Sequence, residues 1–104
     1  MKEMFSAYLA KTLGIDDPDI QAELIAEYRR TFMETVGQMK LAEQASDFER
    51  LRRLGHTLKG CALNIGHAEA REYSLGLENC AKENDLAGCG AEIEKLSALA
   101  AELE

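Results

Sequence analysis

Apolar residues recur along this chain at intervals of three and four, the spacing of one face of a helix, and nowhere alternate with polar ones for long enough to mark a strand. Five helical segments follow. The first covers about residues 3–13, with Met4, Phe5, Tyr8 and Leu9 as its apolar stripe and Gly14 as its stop. Asp17-Pro18 opens the second, over about 18–43, because Asp caps and Pro suits the first helical position. In it Ile20, Leu24, Tyr28, Phe32 and Val36 recur every four residues and Met39 extends the stripe; at 1.5 Å per residue it would be ~39 Å long. The third, over about 47–65, begins at Ser46-Asp47-Phe48-Glu49, a capping box of the S-x-x-E type. Its apolar positions are Leu51, Leu54, Leu58, Cys61, Ala62 and Ile65, and Gly66 closes it. The fourth, over about 67–83, turns Ala70, Tyr73, Leu77 and Cys80 inward, and Asn84-Asp85 marks the next turn. The fifth, over about 86–102, carries Ile93, Leu96, Leu99 and Leu103 on one face; Gly88 and Gly90 weaken its first turn by about 1 kcal/mol each relative to Ala.

Four amphipathic helices with short connections predict an all-α, antiparallel four-helix bundle, with the short N-terminal helix covering one end. The 104 residues, 46% of them hydrophobic, fit a single domain over 1–104 that buries a core rather than a disordered chain. No apolar run exceeds four residues, so no transmembrane helix is expected, and MKEMFSAYLAKTLG lacks the apolar centre of a signal peptide. Three cysteines, Cys61, Cys80 and Cys89, form neither a CxxC pair nor a disulfide framework; reduced thiols in a cytoplasmic protein are expected. With 12 basic and 19 acidic residues, a net charge of -7, the chain is no general nucleic-acid binder.

Charge and chemistry concentrate in residues 49–66, ERLRRLGHTLKGCALNIG. On a wheel of about 100° per residue the apolar positions of this helix fall in one sector roughly 100° wide, and His56 lies roughly 160° from its centre, facing solvent. Arg52, Arg53, Lys59 and Gly60 are its neighbours on the helix surface, and Leu63 shares its face two turns on. Residues 50–68 hold four basic side chains (Arg50, Arg52, Arg53, Lys59) and no acidic one, whereas the remaining 85 hold eight basic and 19 acidic. Gly60 stands mid-helix, where it costs about 1 kcal/mol against Ala. Leu63 is apolar on the solvent face. A phosphoryl acceptor accounts for all three. Imidazole is a nucleophile near pH 7, a lysine one turn away neutralises phosphoryl oxygens, and a glycine at i+4 leaves room for the group and its donor.

His56-Thr57-Leu58-Lys59-Gly60 followed by Ile65-Gly66 resembles the signature of histidine-containing phosphotransfer (Hpt) domains, helical-bundle modules of multistep two-component phosphorelays. The resemblance covers most of the chain. It implies that His56 is phosphorylated, that Lys59 steadies the phosphoryl group and that Gly60 keeps the approach open. It also implies that Glu78, 22 positions after the histidine, bonds the other imidazole nitrogen. Arg52, Arg53 and Leu63 would then dock the partner. Cys61 departs mildly from the family, which often has Ser or another small residue there. The implied role is a phosphocarrier between the aspartates of response-regulator receiver domains, fed by a hybrid histidine kinase. It would act as a monomer with no cofactor or metal of its own, the Mg²⁺ belonging to the receiver.

Three other readings compete. An autonomous histidine kinase would need a Gly-rich nucleotide loop, and kinase dimerisation helices usually show an acid right after the histidine, where this chain has Thr57. A di-metal bundle would need Glu three residues before a histidine; Arg53 and Asn64 stand at those positions before His56 and His67. His67 itself reads as a helix-start residue. The remaining alternative is a non-catalytic adaptor, or a degenerate Hpt domain that binds receivers without phosphotransfer.

Overall fold

The computed structural model describes residues 1–103, so Glu104, the last residue of the expected domain, lies outside it. It contains helices α1 (Lys2–Leu13), α2 (Pro18–Gln44), α3 (Phe48–Ile65), α4 (Ala68–Lys82) and α5 (Leu86–Leu103), with no strand among the described residues. Helix α2 packs on α3, α3 on α4, α4 on α5 and α5 back on α2, while α1 lies against α2 and α3. The connections between α2 and α5 are two or three residues long, so successive helices run antiparallel. The result is the expected four-helix bundle, 42 Å along its longest axis.

Its core is continuous through Phe32, Met39, Leu51, Leu58, Leu77, Leu96 and Cys89, all essentially inaccessible. One end is closed by Phe5 and Leu9 of α1, both buried. Cys61 and Cys80 are half-buried, Cys89 is buried and all three thiols are free. No helix among the described residues is long and apolar enough to cross a membrane.

The apolar stripe of α2 departs from the four-residue repeat. Ile20 and Leu24 are exposed, and the buried set is Ile25, Tyr28, Phe32, Thr35, Val36, Met39 and Ala42. Steps of four rotate a position by about 40° each, so a strict i+4 series winds off the core face, whereas alternating steps of three and four stay on it. In α4 the inward positions are Ala70, Ser74, Leu77, Glu78 and Ala81, with Tyr73 and Cys80 only half-buried at the edge.

The capping box at Ser46 does not form. The chain reverses between α2 and α3 within residues 45–47, and Ser46 adopts a left-handed conformation (φ 50°) to make the turn. The cap therefore moves to Asp47, whose carboxylate accepts from the Arg50 N–H at 3.1 Å. Glu49, freed from the box, pairs with Arg52 and Arg53. Asp85 accepts from the Gly88 N–H at 2.9 Å, which supports the glycine-weakened start of α5.

Helix α3 stops at Gly66 (φ 76°), and the His67 N–H returns to the Ala62 carbonyl at 2.9 Å. A β-carbon on Gly66 would stand 2.5 Å from the Tyr8 ring, so this stop is also where α1 seats itself. The Tyr8 hydroxyl donates to the Leu63 carbonyl at 3.2 Å.

His67 occupies the start of α4, as expected, but its side chain caps nothing and turns into the core. Its Nδ1 lies 2.7 Å from the Tyr28 hydroxyl, and Phe5 packs edge-on at 5.1 Å between centroids. Burial lowers its pKa, and it raises that of Tyr28. A histidine whose folded pKa is depressed stabilises the fold above its unfolded value of about 6.5 and loses that contribution as pH falls toward the folded value. Unfolding free energy is thus expected to drop between pH 7 and 5, with a slope of at most about 1.4 kcal/mol per pH unit for one proton. Urea titrations of wild type and His67→Gln check this: the variant's profile should be flatter over that interval, and an equally steep one refutes the assignment.

Candidate functional site

His56 sits in the middle of α3 on the face away from the core, its side chain 66% exposed. Leu51, Leu58, Ala62 and Ile65 face inward from the same helix, and their burial fixes the rotation that sets the imidazole outward. Its Nδ1 stands 3.0 Å from Oε2 of Glu78 on α4. The other carboxylate oxygen, Oε1, accepts from Lys59 Nζ at 2.6 Å. Glu78 is nine-tenths hidden (5% exposed), so this is a buried carboxylate with two polar partners, not a solvated surface charge.

The electrostatics follow from that triad. The Lys59 ammonium is the main reason the Glu78 carboxyl ionises below the usual carboxylate range; burial opposes the shift and the His56 hydrogen bond adds to it. An ionised carboxylate accepts only. In the neutral imidazole the Nδ1 must therefore donate, which leaves the lone pair on the exposed Nε2.

The other expected site residues are distributed around this triad. Gly60 borders open space, with nothing within 4 Å of where a β-carbon would stand. Leu63 is 52% exposed. Arg52 and Arg53 both bond the Glu49 carboxylate, at 2.8 and 3.1 Å, and they hold it below its ordinary pKa. The basic stretch is therefore less bare than residues 50–68 alone imply, because its counter-ion is the residue just outside that window. No group of three metal-ligating side chains lies together among the described residues. Four surface grooves open elsewhere, none lined by His56, Lys59, Gly60 or Glu78.

One residue at this site goes unread in the sequence. Gly55, next to the histidine, is buried against the turn of α4 that carries Glu78. A glycine before the HTLKG run is the only sequence signal, and it says nothing of what lies opposite.

The family model of the Hpt domain matches residues 23–104, which span α2 to α5 almost entirely and include His56, Lys59, Gly60 and Glu78. The chain belongs to the Hpt domain family. Searches of curated proteins and of solved structures gave no match. Hpt domains are phosphocarriers of phosphorelays rather than catalytic enzymes, and their partners are receiver domains. In this Hpt domain α1 lies wholly outside the matched span.

Proposed function

We propose that His56 is the phosphoryl acceptor of this Hpt domain, taking the group from the phosphoaspartate of one receiver domain and passing it to the aspartate of another. The observation that carries the reading is the Nδ1–Glu78 hydrogen bond on an otherwise exposed imidazole. The Nε2 lone pair attacks phosphorus, the bond between phosphorus and the aspartate oxygen breaks, and the carboxylate leaves as its own base. Nδ1 keeps its proton throughout, and reversal regenerates neutral imidazole. Mg²⁺ held by the receiver would shield the charge in transit, while Lys59, one helical turn from His56 and bonded to Glu78, would turn to the phosphoryl oxygens. The space beside Gly60 admits the receiver's loops.

Docking would centre on Leu63 and continue past Asn64 into the apolar groove between α1, α2 and α3, where Leu13 and Leu24 are exposed. Leu63→Asp is expected to raise the receiver concentration needed for half-maximal transfer about tenfold, with the rate at saturation nearly unchanged, as a lost docking contact of ~1.4 kcal/mol predicts. Transfer kinetics over a range of receiver concentrations check it; an unchanged midpoint removes Leu63 from the interface.

The central test is incubation with a phosphorylated receiver, followed by mapping of the label. Acid-labile phosphate on Nε2 of His56 is expected, and none after incubation with ATP and Mg²⁺ alone. Binding to receivers with no label on the chain would instead mark an adaptor.

A further inference from the structure

The contact between α3 and α4 beside the histidine is unusually close on one side only. A β-carbon built on Gly55 would stand 3.0 Å from the Ser74 carbonyl oxygen, 3.1 Å from the Glu78 backbone nitrogen and 3.5 Å from the Glu78 α-carbon. These are rigid atoms. The Ser74 carbonyl and the Glu78 N–H are the two ends of one helical hydrogen bond, so no flexible side chain can swing aside. Ser74 is itself fully buried, so the carbonyl that faces Gly55 belongs to a turn fixed in the core. Gly60, four residues after His56, has nothing nearby. Two glycines flank the same histidine, then, for opposite reasons: one borders solvent and the other a backbone.

We infer that Gly55 is a positioning residue for phosphotransfer: its missing side chain lets the Glu78 turn of α4 come close enough for the carboxylate to hold Nδ1 of His56. The inference rests on the proposed role of His56 but is separately testable. Adding a methyl group at 55 would push the Glu78 turn outward by a few tenths of an ångström. The displaced carboxylate would have to serve two partners. Lys59, on a long flexible stem, follows it, whereas the imidazole has only two side-chain torsions with which to follow. The His56 bond therefore weakens first. The proton is then shared between the two ring nitrogens, and the fraction of imidazole with a free, aimed Nε2 falls. Helix propensity alone would favour Ala at this position, so the cost of the substitution lies in the contact.

The direct test reads the ring, not the reaction. Nitrogen NMR of unphosphorylated protein, with the imidazole neutral, should show His56 of wild type with its proton on Nδ1. Gly55→Ala should show a mixture of tautomers, and its initial rate of transfer from a phosphorylated receiver should fall about tenfold, the cost of a small misplacement. Gly37→Ala, on the exposed face of α2 with nothing within 4 Å, should match wild type in both. An undisturbed Nδ1–H tautomer in Gly55→Ala overturns the inference, whatever the transfer rate. Should wild type accept no phosphate at all, the functional reading fails while the tautomer result still decides this one. Glu78→Asp serves if Gly55→Ala does not fold. It shortens the reach by one methylene without adding volume at the contact, so the tautomer should become mixed; a fully retained Nδ1–H form would show that spacing is not limiting, and overturns the inference equally.

Discussion

His56→Gln is expected to take up no phosphoryl group from a phosphorylated receiver. The loss is complete rather than a slowing, because a carboxamide nitrogen has its lone pair delocalised into the carbonyl and cannot attack phosphorus. The fold should be untouched. The side chain is 66% exposed and the buried Glu78 keeps its bond from Lys59, so the change belongs with surface substitutions, usually within about 0.5 kcal/mol. Radiolabel transfer and thermal unfolding, measured on the same preparation, check both halves. Label retained by the variant would place the acceptor elsewhere. His67 is no substitute candidate: it is 1% exposed and its Nδ1 is occupied by Tyr28.

Glu78→Ala is expected to slow transfer about 10- to 100-fold without abolishing it, since the nucleophile survives and only its orientation and tautomer are lost. Glu78→Gln should come within severalfold of wild type. Its amide oxygen can still accept from Nδ1, although the amide NH2 then faces Lys59, which loses its acceptor. The contrast between the two variants is the informative measurement. If Gln is as slow as Ala, the charge of the carboxylate matters and not the hydrogen bond. If both equal wild type, the bond between Glu78 and His56 has no part in the reaction. Because the ammonium of Lys59 keeps Glu78 ionised below the usual carboxylate range, the wild-type grip is present at neutral pH and lost only as the solution is acidified through that depressed value.

The sequence was legible where one helix settles the matter. The outward direction of His56 follows from the periodicity of α3, and the structure has it 66% exposed. The bundle follows from four amphipathic segments with brief connections. Features that depend on two helices were not readable. Ile25, not Leu24, faces the core because the rotation of a 27-residue helix is set by what packs along its whole length. His67 is buried because Phe5, Tyr28 and Phe32 arrive from α1 and α2 to surround it. Glu49 lies one residue outside the basic window, so its hold on Arg52 and Arg53 appears only once side chains are in place. The burial of Glu78 and the close contact at Gly55 likewise depend on how α4 lies across α3.

The open setting of His56 has a consequence for selectivity. No wall of the described residues surrounds the imidazole, so nothing among them can measure the size or shape of whatever delivers or collects the group. Discrimination must then be exercised at a distance from the transferred atom, over ground such as that around Leu63. A single carrier of this build can change correspondents by altering a few contacts there, while its reactive ring and the carboxylate behind it stay as they are.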